Sequence, residues 1–196
     1  ATFDFVPELA SHWFISDDKL TFKFRINPDA RWSDGMPVVA DDIIATWDLR
    51  MDETILMPSE QLSFGKFERP VAESKYIVSV KAKVVNWRNF LYFSTMAIHP
   101  NHKLKELDGT AFLEEYAFSM IPGTGPYVIP EENKRNQESF TFVRRDNYWA
   151  SDSPFKKYMF NFDKIKISVV KDNDALQFEK FKKGEQDIFS VNRSDR

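Results

Sequence analysis

Cysteine is absent from the 196 residues. Disulfides, thiolate metal sites and cysteine nucleophiles are therefore all excluded. The absence is compatible with an oxidising compartment without establishing one. Positive charge is not in excess: 27 Lys and Arg against 30 Asp and Glu give a formal net charge of -3. That argues against a nucleic-acid partner, because phosphate binding needs a concentrated basic surface. No apolar run approaches the roughly 20 residues of a membrane-spanning helix. The turn Gly123-Thr124-Gly125 lacks the Lys-Ser/Thr of a phosphate loop and the third Gly of a dinucleotide site, and Pro126 withholds a backbone donor. There is no Gly-x-Ser-x-Gly elbow either. What is present is 42% hydrophobic and 29% charged residues, the composition of a globular protein able to bury a core as one large domain or two small ones.

The chain alternates between two periodicities. Leu20, Phe22, Phe24 and Ile26 face one way, and Thr21, Lys23 and Arg25 the other, which is a half-buried antiparallel strand. Residues 9–16 are its expected partner, across a hairpin turn Ser16-Asp17-Asp18-Lys19. Ser33-Asp34-Gly35 supplies another sharp turn, glycine being the residue that tolerates positive φ. From Ala40 the period becomes helical, with Ile43, Ile44, Trp47 and Met51 on one face and Asp41 and Asp42 in the first turn, where carboxylates complement the helix dipole. Strands are expected over 66–71 and 76–82, and short helices near 87–93 and 110–119. A hairpin follows, with strands 127–129 and 139–144 around the loop 130–138. At the end, Ile165, Ile167 and Val169 alternate. A helix capped by Asp172 then carries Ala175, Phe178 and Phe181, Gly184 ends it, and 187–191 returns as a strand. That β-α-β unit is expected to be parallel and right-handed. The change of pattern divides the chain into a mixed antiparallel subdomain, 1–121, and a partial α/β subdomain, 122–196.

Candidate sites weigh lightly. His99-Pro100-Asn101-His102 has the spacing of a metal pair, but no third ligand stands at recognisable spacing and Pro100 disfavours a helical face, so a surface turn is expected and no metal. His12 beside Trp13 is expected to be structural. Asp41/Asp42, Glu114/Glu115 and Glu131/Glu132 are adjacent carboxylates pointing in different directions, unlike a glycosidase pair facing across a bond. Helix-end charges and solvated faces explain them. The aromatic share, 15% with 19 Phe, is mostly core: Phe22, Phe24, Phe140, Phe142, Phe178 and Phe181. Trp32, Tyr148 and Trp149 follow turns, and for them stacking on a ligand is the lesser expectation beside a structural, anchoring role.

Four segments carry a resemblance: Ala30-Arg31-Trp32-Ser33-Asp34-Gly35-Met36-Pro37-Val38-Val39-Ala40-Asp41-Asp42, then Gly123-Thr124-Gly125-Pro126-Tyr127, Asp146-Asn147-Tyr148-Trp149 and Gly184-Glu185-Gln186-Asp187-Ile188. With Pro7–Trp13 and Leu20–Arg25 upstream, they stand in the order and spacing of the extracellular solute-binding proteins of family 5, which capture oligopeptides and dipeptides for ABC importers. The chain resembles that family from about Pro7 to Ile188. It departs at Val39, where the family usually has Thr; Val cannot cap the helix, a loss of about 1 kcal/mol.

The resemblance implies a lobe of the class II periplasmic-binding-protein fold, α/β in the mixed α+β sense. It implies a periplasmic or cell-surface protein that hands peptide to a membrane permease, with no cofactor and no catalytic chemistry. Family members are longer, so the chain is expected to be a fragment of one lobe, with the second lobe absent and any signal peptide upstream. The lobes close on an extended peptide, and its charged amino end is usually held by an acidic residue of the other lobe. Half a cleft is expected to bind peptide no tighter than about 1 mM, and its uncovered face to favour self-association. A peptide-contacting residue just after the Gly-Glu-x-Asp-Ile segment falls at Ser190 or Val191, with Asn192 and Arg193 in the same loop. Other cargoes of the family (nickel, haem, sugar, opine) stay open, as do a carbohydrate hydrolase using the aromatics as platforms and a sensor domain fused to a regulator.

Overall fold

The structure is a computed structural model that describes residues 5–135, 138–170 and 173–190. The chain forms two units. The first takes residues through Pro126 and again Arg145–Met159; the second takes Tyr127–Arg144 and the chain from Phe160 on.

The first unit is built on an antiparallel sheet of β1 (Ala10–Ile15), β2 (Thr21–Ile26), β3 (Val71–Ser74) and β4 (Ile77–Lys81), in the order β1-β2-β4-β3. The alternation of β2 decides which face is core: Phe22, Phe24 and Ile26 are buried while Arg25 is exposed. Register puts Phe22 beside Val80 and Phe24 beside Val78, all four buried. Phe90 and Phe93 of helix α3 (Asn89–Ser94) stack on Phe24 with ring centroids at 5.5 and 5.7 Å. Helix α1 (Ala40–Met51) adds Ile43 to the same core.

Two expectations for this unit are corrected. The strand expected at 66–71 is reduced to one bridge, Phe67 to Ala82, and the ladder opens only at Val71. Pro70, fully buried just before it, has no N–H to donate to a ladder. The segment expected as a surface turn forms α4 (Asn101–Leu104) directly after a fully buried Pro100, and Leu104 packs with Leu49 and Ile55 in a second core cluster. Proline is tolerated there because the N–H it lacks would be unpaired at a helix start anyway. Helix α2 (Pro58–Phe64) was not foreseen and begins on a proline in the same way. Helix α5 (Gly109–Tyr116) is capped by Asp108, which accepts from the Ala111 N–H at 2.8 Å. Gly109 is required there, since a Cβ would fall 2.2 Å from the Ile55 nitrogen.

In the second unit β7 (Ser139–Arg144) pairs antiparallel with β5 (Tyr127–Val128), β6 (Lys134–Arg135) and β8 (Lys164–Ser168). Helix α6 (Asp174–Lys182) follows, capped by Asn173, whose side chain accepts from the Leu176 N–H at 2.8 Å. Asp172, the expected cap, lies outside the described residues. Gly184 ends the helix region at φ 71°. The second strand of the expected β-α-β unit is not formed over 187–190. Instead Phe189 packs back on Phe178 and Phe181 of α6, with centroids at 5.4 and 5.9 Å, so the segment is held by side chains rather than by a ladder.

Candidate functional site

Three of the four signature segments converge inside the first unit, and the convergence centres on one carboxylate. Asp42, 2% exposed, stands in the first turn of α1. Its Oδ2 accepts from the Val39 N–H at 2.8 Å and from Trp32 Nε1 at 3.0 Å. Its Oδ1 accepts from the Asn101 N–H at 2.7 Å. The helix entry that Val39 cannot cap is thus capped from inside the helix. Asp42 is therefore not a solvated helix-end charge, as its neighbour Asp41 is. Burial pushes its carboxyl above the usual range, against the lowering effect of the three N–H donors.

The turn before it is tied in from two sides. Asp34 Oδ2 lies 2.6 Å from His102 Nε2, and Gly35, at φ 88°, makes the turn possible. The Ser33 N–H donates to the Gly123 carbonyl at 2.8 Å. Arg145, buried, donates to the carbonyls of Gly125 at 3.0 Å and Trp32 at 3.2 Å. Trp149 Nε1 donates to the Thr124 carbonyl at 2.9 Å. The glycine turn is therefore held by the Ser33 main chain and by the Arg145 and Trp149 side chains, and is not a phosphate cradle. Burial lowers the Arg145 guanidinium from its ordinary value.

The aromatic candidates divide. Trp32 is 1% exposed and Tyr148 is buried, which leaves neither a face for a ligand. Trp149, half-buried, borders a cleft of about 370 Å³ that is also lined by Glu8, Asn27, Asp29 and Lys156, with Lys156 Nζ 2.7 Å from Glu8 Oε1. The two histidines of the H-x-x-H pattern serve different ends. His102 holds Asp34, while the His99 ring lies tilted against Phe112 with centroids 5.5 Å apart, and burial together with the nearby Arg50 charge brings its imidazole down to about 4. Among the described residues no three His, Cys, Asp or Glu are grouped as a metal site.

Of the ligand-contact candidates, Ser190 is exposed in the segment after α6 and outside any strand. Val191, Asn192 and Arg193 lie outside the described residues. Arg145 and Asn101 were missed from the sequence. Arg145 directly precedes Asp146-Asn147-Tyr148-Trp149, but its partners lie 20 and 113 residues away. Asn101 contributes only a backbone N–H, for which no residue type is a signal.

Comparison with known proteins agrees with this frame. The peptidoglycan-binding protein YepA of Agrobacterium fabrum is 31% identical over 175 residues, covering 88% of this chain and 27% of that protein. The dipeptide-binding protein DppE of Bacillus subtilis is 27% identical over 200 residues, covering 94% and 35%. This chain thus spans 27% to 35% of the length of these two relatives. The fold matches the oligopeptide-binding protein AppA of Bacillus subtilis, solved with a nonapeptide, at a TM-score of 0.75 and 21% identity, over 96% of this chain and 36% of that one. No helix among the described residues is long and apolar enough to cross a membrane. With three of its four signature segments joined by hydrogen bonds and the family match running over residues 4–195, the chain belongs to the bacterial extracellular solute-binding proteins, family 5.

Proposed function

We propose that the protein carrying this chain is the peptide-binding component of an ABC importer, working at the cell surface or in the periplasm and delivering its cargo to a membrane permease. The observation that carries this reading is the family match over residues 4–195, joined to a relative named as dipeptide-binding that aligns with 94% of the chain. The buried Asp42 and Arg145 are committed to N–H donors and carbonyls of their own unit, so their part is to hold the fold together. In this reading the chain supplies part of one lobe of a clamp, and closure against a second lobe excludes water from an extended peptide. Ser190 and the two residues after it, Val191 and Asn192, are the contacts proposed from this chain.

A second reading concerns the cargo. The relative at 31% identity is named for binding peptidoglycan, so peptides still joined to amino sugars are the alternative within the same mechanism. Mass spectrometry of ligand co-purified with the full-length protein tests both. Plain peptide masses are expected, and muropeptide masses select the second reading. A nickel complex, an opine, a free sugar, or turnover of a glycoside panel overturns the peptide assignment.

A further inference from the structure

One loop of the first unit is built outward. Residues 83–88 are all exposed, between buried Ala82 and buried Asn89. Val84 is 74%, Val85 58% and Trp87 80% exposed. The backbone of this loop is held in place by hydrogen bonds. Asn89, 1% exposed, donates through Nδ2 to the Val84 carbonyl at 2.8 Å. Its N–H donates to the Asn86 carbonyl at 3.0 Å, and the Arg88 N–H donates to Asn86 Oδ1 at 2.9 Å. A buried amide thus fixes the backbone while three apolar side chains stand in solvent.

Cations flank the apolar tip. The Arg88 guanidinium lies 4.7 Å from the Trp87 ring centroid. Lys83 Nζ donates to the Gly65 carbonyl at 2.8 Å, and Lys66 Nζ lies 5.1 Å from the Tyr92 ring. Among the described residues none of Lys66, Lys83 and Arg88 is in an ion pair, and Glu68, two residues after Lys66, is engaged by Lys81 at 3.4 Å. This is positive charge with no internal complement, arranged around a tryptophan and two valines.

We infer that the 83–88 loop docks the protein on an anionic lipid surface, Trp87 and the valines entering the headgroup boundary while Lys66, Lys83 and Arg88 meet phosphates. Tryptophan's amphipathic ring suits that boundary, and each basic residue near an anionic surface adds attraction. A stable protein partner would need about 20–30 residues on its side of the interface, far more than this tip offers, whereas surface partitioning needs only a few anchored side chains. The inference is independent of which cargo the protein carries.

The test is co-sedimentation of the full-length protein, in soluble form, with vesicles of phosphatidylcholine alone or mixed with phosphatidylglycerol. Binding is expected only to the anionic vesicles and is expected to fall as salt rises. Lys83→Glu with Arg88→Glu should each weaken it by at least about fivefold. Trp87→Ala should weaken it comparably, and Phe14→Ser, an exposed apolar change elsewhere in the unit, should not. All these positions are exposed, so unchanged circular dichroism and thermal midpoint show that the fold survives. Absence of binding to anionic vesicles overturns the inference. Equal binding to both lipids, or binding indifferent to the loop variants, does so too. A self-associated species in sedimentation velocity that Trp87→Ala disperses, without vesicle binding, would reassign the loop to a protein contact.

Discussion

Asp42 gives the sharpest test of how this unit is held together. Replacing it with Ala leaves three N–H groups, of Trp32, Val39 and Asn101, without their acceptor in a site that is 2% exposed. An orphaned buried donor costs roughly 1–3 kcal/mol. Partial relaxation and water entry trim the sum, so the loss for Asp42→Ala should be about 4 kcal/mol. That is a large share of the roughly 5–15 kcal/mol by which domains are stable. Asp42→Asn keeps the shape but can turn its oxygen to only one side. Its amide hydrogens then meet either Asn101 N–H or the Trp32 and Val39 donors, and about 2 kcal/mol is the expected loss. Asp41→Asn, exposed and without these partners, should lose at most about 1 kcal/mol through the helix dipole. Urea unfolding followed by tryptophan fluorescence checks the order. The pH dependence adds a sign. Burial raises the Asp42 carboxyl, so the native state holds its proton more tightly than the unfolded chain. Its contribution is then fully present below the unfolded value of 3.8 and lost as pH rises through the higher folded one. Asp42→Asn should remove that component. A loss below about 1 kcal/mol for Asp42→Ala, or equal losses for Asp42→Asn and Asp41→Asn, would refute the reasoning.

His99 acts in the opposite sense. Its folded value of about 4 lies below the ordinary histidine value of 6.5, so its contribution is fully present above 6.5 and is lost as pH falls towards 4, by about 3 kcal/mol at most. His99→Phe, which keeps a ring against Phe112, should flatten urea midpoints over that window. Arg145→Ala should cost about 2–4 kcal/mol by stripping the Gly125 and Trp32 carbonyls of their donor. Arg145→Lys should recover less than half of that, because one ammonium cannot span both acceptors as the guanidinium fork does; thermal denaturation of both variants reads the difference. In the full-length protein Ser190→Trp should weaken peptide binding by at least about tenfold, with the thermal midpoint nearly unchanged because Ser190 is exposed. Calorimetry that finds the affinity intact removes Ser190 from the proposed contacts.

Local order was legible wherever a single periodicity ran without interruption. The alternation at 20–26 and the helical period from Ala40 appear as β2 (Thr21–Ile26) and α1 (Ala40–Met51), although of the expected stripe only Ile43 is buried, the buried face running through Thr46 and Leu49 while Ile44, Trp47 and Met51 are half-buried. The order of the signature segments was equally legible, and it led to the family. Tertiary structure decided what those segments do. Asp42 and Asp41 look alike along the chain, yet only Asp42 meets donors 10 and 59 residues away, and one carboxylate becomes a buried hub while its neighbour stays in water. Pro70 withheld a ladder bond and delayed β3 to Val71. The strand expected at 187–191 is not formed over 187–190, where Phe189 packs on Phe178 and Phe181 of the preceding helix. Sequence pattern sets which faces are apolar; which long-range partner each polar or aromatic group meets depends on packing that no local spacing encodes.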